Sequence, residues 1–582
     1  MRSHVWSSLW TFCFLLAFAS SPFAQWSSDP AVNLAIGDRT GDQVQPKVVP
    51  TTDGGCFISW FDNSTGGYDA YLQRLDAAGN EQWPHNGFIQ ADRSFSSTED
   101  YGLDIDTAGN ALMAFRDDRF GAAMITAVKI APDGTKLWGA NGIQLTSGED
   151  VHSPKIAGTS DGNVVVGWTH DGSVKIQKLD GTGTPQWGTG VLFSDTGGGS
   201  FGFSDLHGSD SGSVIASWVR YGSQFWDPKH LWAQKLSPSG STLWNTPGPH
   251  MIVFDGGSLQ FGNFPSFVTD GSGGAVFSWY DVSPLQCFVQ RILADGSEAF
   301  THNGVAASTN MAQIRVSPSV SFKPATEEIF LFWTEQNSSQ SQDGIYGQKF
   351  APDGMRQWTD NGKVLIPLGS EQLTFVNNLQ YGDGAMVFAF GSPAYGNDVV
   401  YATRVDGNGD FVWPDDLIQA CSLPSAKGRL DAALSTEGFS ILAWHDERSG
   451  DKDVIGQNLN PDGTLGVPIG DTFDVGFTCL TPFLTLPDTG YFEVVLENTS
   501  DEMIDLYGHL NATLCNGIYL TDVRKHGLKV GAGATRVIQL PLFIPAHSVL
   551  TCDCDLELKV LVQDIETLWE ETDSCTVTTS CP

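Results

Sequence analysis

Carboxylates recur at one fixed spacing at both ends of this chain. Trp60, Asp62, Gly66, Asp69 and Gln73 are matched, position for position, by Trp444, Asp446, Gly450, Asp453 and Gln457. A third stretch keeps Asp117 and Gly121 of the pattern. Aspartates gathered in a short loop can do two kinds of chemistry. Their oxygens can face a pocket and hold a ligand or Ca²⁺, or they can accept hydrogen bonds from the backbone of their own loop. Asp62, Asp69, Asp117, Asp446 and Asp453 are therefore the candidate ligand-binding residues. Calcium is the cation they are compatible with, and no other cofactor is expected.

Other reactive patterns are weaker. Gly198-Gly199-Ser200-Phe201-Gly202 has the spelling of a nucleophile elbow, but it lies in a glycine-rich loop with no helix after it. No His-x-x-x-His pair suggests a zinc protease. Arg116-Asp117-Asp118-Arg119 and Asp446-Glu447-Arg448 read as loop ion pairs. No catalytic or metal-ligating residue is assigned. The chain has 31 Lys and Arg against 67 Asp and Glu, a net charge of −36. That balance argues against nucleic acid and anionic membranes as partners.

The elements that must position these acids repeat along the chain. A strand-like segment ending in an aromatic occurs eight times, at Trp60, Phe115, Trp168, Trp218, Trp279, Trp333, Phe390 and Trp444. A proline often opens an earlier strand, as at Pro46, Pro154, Pro265 and Pro318. A third strand carries Gln73, Gln177, Gln234, Gln290, Gln348 or Gln457, and a tight turn follows, often Pro-Asp-Gly. Glycine accepts positive φ in such a turn without a Cβ clash. A fourth strand is led by Trp83, Trp138, Trp187, Trp244, Phe300, Trp358 or Trp413, at intervals of 49 to 58 residues. Four short strands per unit at that interval describe a propeller blade.

The eighth unit has Leu465-Gly466 where the fourth-strand tryptophan is expected, and the missing piece stands near the N-terminus. Trp26 to Val32 resembles Trp83 to Ile89. The N-terminal strand is expected to complete the last blade and close the ring, removing its exposed edges. The Gly-x-x-x-Trp element, as in Gly79 to Trp83 and Gly134 to Trp138, resembles the tryptophan-docking repeats of quinoprotein dehydrogenases. The resemblance covers roughly residues 26–469 and implies an eight-bladed propeller whose blades dock through tryptophan. It is also similar to the secreted bacterial β-propeller repeat proteins, in which such repeats build scaffolds. The adjacent Cys-Cys pair of the quinoprotein enzymes is absent.

The ends of the chain add two expectations. Arg2 and the apolar run from Leu9 to Ala19, followed by small residues, read as a signal peptide over residues 1–24. No later run has membrane length, so no membrane insertion is expected. Beyond the propeller at 25–469, residues 470–582 lose the repeat and gather Cys479, Cys515, Cys552, Cys554, Cys575 and Cys581. In an exported chain these read as disulfides with open connectivity, in an immunoglobulin-like β-sandwich. The fold class is all-β, and the destination is periplasmic or extracellular, secreted or attached to the cell surface. The function expected is a non-enzymatic binding or scaffold protein that recognises a glycan or protein through propeller-face loops. The alternative is a carbohydrate-active or quinoprotein-like enzyme with its site in the propeller channel.

Overall fold

The computed structural model describes residues 25–580 apart from 148–149, 245–250, 467–472 and short stretches after residue 480 (481–482, 486–487, 499–503, 515–518, 532–533, 545–553 and 565–569). The expected signal peptide and Cys515, Cys552 and Cys581 lie outside the described residues. The chain is all-β: its helical content among these residues is one short turn, Asp210–Gly212.

Among the described residues, eight four-stranded antiparallel sheets fill the first part of the chain. Sheets 1 to 7 span residues 43–91, 102–147, 151–193, 200–254, 267–306, 314–369 and 372–425, each with its strands in sequence order. Sheet 8 spans 427–459 and takes its fourth strand, Leu34–Gly37, from the other end of the chain. Each first strand packs against the first strand of the next sheet, from Gln43–Pro50 through to Lys427–Leu434 and back to Gln43–Pro50. Second strands such as Cys56–Asp62 are buried along their whole length. They are covered on both faces by neighbouring sheets, which is why their sequences run apolar without alternation.

The repeated residues hold these sheets together. The buried third-strand glutamine clamps the turn behind it: Gln234 Nε2 donates to the Trp244 carbonyl at 2.9 Å and its Oε1 accepts the Trp244 N–H at 2.9 Å. The tryptophan so fixed reaches into the next sheet. Trp83 Nε1 donates to the Pro132 carbonyl at 3.1 Å, Trp138 to Gly181 at 3.1 Å and Trp413 to Pro461 at 2.8 Å. The turn glycine is the floor on which the ring lies. Gly463 has φ of +91°, and a Cβ there would meet the Trp413 ring at 3.0 Å. The Gly-x-x-x-Trp element thus serves two contacts, its glycine receiving one neighbour and its tryptophan docking on the other.

Trp26 takes the eighth docking position. Its Nε1 donates to the Ala77 carbonyl at 3.0 Å, and a Cβ on Gly79 would lie 2.7 Å from its ring. Gln457 completes the same clamp across the chain ends, its Nε2 donating to the Ser27 carbonyl at 2.8 Å.

Two sequence expectations shift in detail. The docking aromatics stand in the connection before the fourth strand, which in sheet 1 begins at Phe88. Pro46, Pro154 and Pro318 lie inside first strands rather than opening them. Each follows a residue with positive φ (Gln45, Ser153, Ser317) at a bulge where the register shifts. A bulge on an inner edge strand leaves the missing proline N–H without cost.

Two seams carry a matched brace. His85 Nδ1 lies 2.9 Å from Glu81 Oε1 and its Nε2 2.9 Å from Asp38, which follows the closing strand. His302 repeats this between Glu298 at 2.9 Å and Asp255 at 3.0 Å, joining sheets 5 and 4. Burial lowers both imidazole pKa values, but the flanking carboxylates outweigh it and raise them above the ordinary 6.5. A raised folded pKa gives stability that is full below 6.5 and is lost as pH rises through the raised value. A His85→Gln, His302→Gln variant should therefore melt below the parent at pH 6 and with it at pH 9. An equal gap at both pH values would show that the braces work by packing alone.

The last part of the chain forms two further sheets. One has the strands Phe473–Cys479, Asp488–Asn498 and Thr535–Ile544, and the other has five, including Ile504–Leu514, Cys554–Asp564 and Glu570–Ser580. They share a core of Phe492, Leu496, Leu506, Leu558 and Val577. A disulfide joins Cys479 on the first sheet to Cys575 on the second, with Cα atoms 5.8 Å apart. Among the described residues Cys56, Cys287 and Cys421 are buried and form no disulfide.

Candidate functional site

The five sequence-predicted acids fall on neighbouring sheets 8, 1 and 2, at the end where second strands turn into third strands. Asp62 pairs directly across the strands with Asp69, and Asp446 with Asp453. All five are buried. Their first task is holding loops. Oδ1 of Asp62, Asp117 and Asp446 accepts the N–H of Ser64, Arg119 and Arg448 at 2.9, 3.1 and 2.9 Å. Asp69 Oδ1 accepts the Arg93 N–H, at 2.6 Å, on the way into the next sheet.

Identical spacing hides different electrostatics. Asp446 Oδ2 meets Lys427 Nζ at 3.1 Å, Arg448 at 2.7 Å and the Trp444 indole N–H at 3.0 Å. Burial opposes its ionisation, but Arg448 and Lys427 hold its carboxyl well below the usual carboxylate range. Asp62 Oδ2 and Trp60 Nε1 have no such partner. Gln43 stands opposite Asp62 where Lys427 stands opposite Asp446. Asp69 and Asp453 are pushed up, chiefly by burial.

Sequence reasoning missed a second ionic assembly on the first strands. Asp100 Oδ1 meets Lys47 Nζ at 2.9 Å, and its other oxygen contacts Lys155. Asp431 accepts the Val48 N–H at 2.9 Å, Asp104 the Gly158 N–H at 2.8 Å, and Asp205 the Phe267 N–H at 3.1 Å. Burial opposes ionisation of Asp205, yet His207 at 3.1 Å holds it at about 2. Burial pushes Asp104 and Asp431 up. Carboxyls pulled apart in this way can serve acid–base chemistry. Here each is committed to a lysine, a histidine or the backbone of the next sheet. The assembly clasps adjacent inner strands whose edges would otherwise be unpaired.

The open chemistry lies on sheets 4 to 7. A cavity of about 660 Å³ is lined by Phe261, Phe264, Trp279, Tyr280 and Phe375, with Gln260, Asn263, Gln336 and Gln372 among them. Phe261 is 59% exposed and packs against Phe225, with ring centroids 5.1 Å apart and planes tilted by 50°. Beside Phe225, Trp226 is 79% exposed. Phe375 is the most informative residue of the group. It occupies the positive-φ position of its inner-strand bulge, φ 53°, and is still 41% exposed. Other sheets place Gln45, Ser153, Ser317 or Arg429 there. A large ring in that conformation costs about 1–2 kcal/mol, and burial does not fully repay it. Such strain gathers at binding sites.

Among the described residues no group of three or more His, Cys, Asp and Glu side chains is placed to hold a metal ion. None of their helices is long and apolar enough to cross a membrane.

Antiparallel four-stranded sheets packed in a closed circuit, with the last sheet completed by the first strand, define a β-propeller. No family model matches the chain, and no curated protein matches it. Among solved structures it is similar to the Dos1 propeller, at 11% identity over 75% of this chain and 94% of that one, with a TM-score of 0.42. It is similar to the polysaccharide lyase Uly1 at 11% identity, covering 77% and 98%, with a TM-score of 0.39. A third likeness is to Penicillium chrysogenum α-L-arabinanase complexed with arabinobiose, at 10% identity, covering 73% and 97%, with a TM-score of 0.32.

Proposed function

We propose that this protein is an exported, non-enzymatic glycan-binding propeller. In this reading residues 1–24 are a signal peptide, 25–469 an eight-bladed ring and 470–582 an immunoglobulin-like, cysteine-rich sandwich. The protein works in the periplasm or outside the cell. The carrying observation is the cavity with Phe261, Phe264 and Phe375 on its rim and amides between them. A sugar ring has an apolar C–H face and a hydroxyl rim, and aromatic planes beside amide donors and acceptors match both. The loop acids Asp62, Asp69, Asp117, Asp446 and Asp453 brace the loops of neighbouring sheets 8, 1 and 2 on the same face, and no cofactor takes part. The commitment of Asp100, Asp104, Asp205 and Asp431 to structural partners speaks against an enzyme in the channel.

Affinity electrophoresis of the mature chain through gels containing individual polysaccharides tests this reading. At least one polymer should retard the parent. A Phe261→Ala, Phe375→Ala variant should lose about 100-fold in affinity, from two stacking contacts worth about 1–1.5 kcal/mol each, with its melting temperature unchanged. Retardation indifferent to both substitutions would move the site elsewhere.

A further inference from the structure

We infer that the ligand is an uncharged polysaccharide chain several sugar units long, lying across the face from Phe261 to Tyr395. This rests on the glycan reading and adds its charge and its length.

Length follows from a second cavity. It has a volume of about 680 Å³ and is lined by Tyr395, Ser392, Pro424 and Arg448. Gln372 and Thr374 line both cavities, so the two meet at the inner strand of sheet 7. Each volume is of the size that holds a drug-sized ligand, about 300–1,000 Å³. A single sugar would leave most of the path empty. Tyr395 stands fully exposed in the loop of sheet 7, a second aromatic platform beyond the first cavity. Two platforms joined by a strip of amide and hydroxyl groups suit a chain whose successive rings stack and whose hydroxyls bridge between them.

Charge follows from the ionic groups that line the two cavities. The lining cations are Lys427 and Arg448. Both are bound to the one buried Asp446, at 3.1 and 2.7 Å, and Asp398 and Glu447 of the same lining offset the positive charge left over. The acids are occupied as well. Asp343 accepts the Leu373 N–H at 3.1 Å and Gln336 Nε2 at 2.9 Å. Asp398 accepts the Lys427 N–H at 2.8 Å, and Glu447 meets Lys452 at 3.3 Å. A uronate or sulfated polymer needs uncommitted cations to repay its desolvation. It would also approach a chain of net charge −36, against a repulsive field. An uncharged chain meets neither obstacle.

The experiment is calorimetric titration of the mature protein with neutral oligosaccharides from disaccharide to octasaccharide, and with polyuronate and sulfated galactan fragments, at low and high salt. Neutral oligomers should bind with affinity that rises about tenfold or more with length and does not respond to salt. Tyr395→Ala should erase the gain made by the longer oligomers and leave the disaccharide unaffected, whereas Phe261→Ala should weaken every length. Binding confined to polyanions and weakened by salt would overturn the inference and leave the glycan reading standing. Neutral binding that stops improving at the disaccharide would refute the extended path. Silence toward every sugar would remove both readings.

Discussion

A chain beginning at residue 40 should fail to form a stable ring. The missing segment, residues 25–39, supplies the strand whose Leu34, Ala35 and Gly37 pair with Gly456, Ile455 and Val454. It also ties three sheets together. Trp26 docks on sheet 1, Gln457 of sheet 8 holds the Ser27 carbonyl, and Asn33 Nδ2 donates to the Ala420 carbonyl of sheet 7 at 2.9 Å. Trp26, Leu34 and Ile36 are buried. At about 1.5–3 kcal/mol for each large apolar side chain, their loss costs about 5–9 kcal/mol. That is most of the 5–15 kcal/mol or so that holds an ordinary domain. The strand Asp453–Leu459 would become an open edge. Urea unfolding and size-exclusion chromatography should find the truncated protein unfolded or aggregated. Trp26→Ala alone should cost about 3–5 kcal/mol. A truncated chain that melts like the parent would show that the ring does not depend on its closing strand.

Asp446→Asn should destabilise the protein by about 3–5 kcal/mol, whereas Asp62→Asn should cost less than about 1 kcal/mol. The two residues occupy the same place in a repeated pattern, so sequence alone makes them equivalent. The difference is the cation. The Lys427 side chain is fully buried against Asp446, and removing the carboxylate charge strands that ammonium beside Arg448 without a counter-ion. Asp62 faces Gln43, and the amide replacement strands no cation there. The pH dependence follows from the depressed pKa of Asp446. Its contribution is full above the ordinary carboxylate value of 3.8 and is lost as pH falls below it. The Asp446→Asn deficit should therefore be largest near neutrality and shrink in acid. Equal costs for the two variants would mean that Lys427 finds another partner.

The ring was legible because its signals are periodic. Trp, Gln and Gly recur at fixed offsets, since each blade must clamp its own turn and dock on the next. The role of Trp26 could be read from the gap near Leu465 for the same reason. The inner bulges were not legible: whether a residue before proline has positive φ depends on pairing register, which spacing does not report. The candidate site divides similarly. The loop acids were visible as a pattern, but the partner that separates Asp446 from Asp62 comes from a strand outside it. Phe261, Phe264 and Trp226 lie in loops that obey no repeat. Phe375 leaves no signal in the sequence, because its exposure is created by the bulge. The clasp of Lys47, Asp100 and Lys155 joins three sheets and leaves no local trace.

Hydrogen–deuterium exchange on the mature protein, with and without a retarding neutral oligosaccharide, tests the central claim most directly. Protection should be confined to the segments that line or flank the aromatic path: residues 221–229, 259–266, 278–280, 316–318, 334–343, 372–376, 392–398, 424–427 and 447–448. Protection centred instead on the inner strands around Asp100, Asp205 and Asp431 would place the ligand in the channel and contradict a binding face.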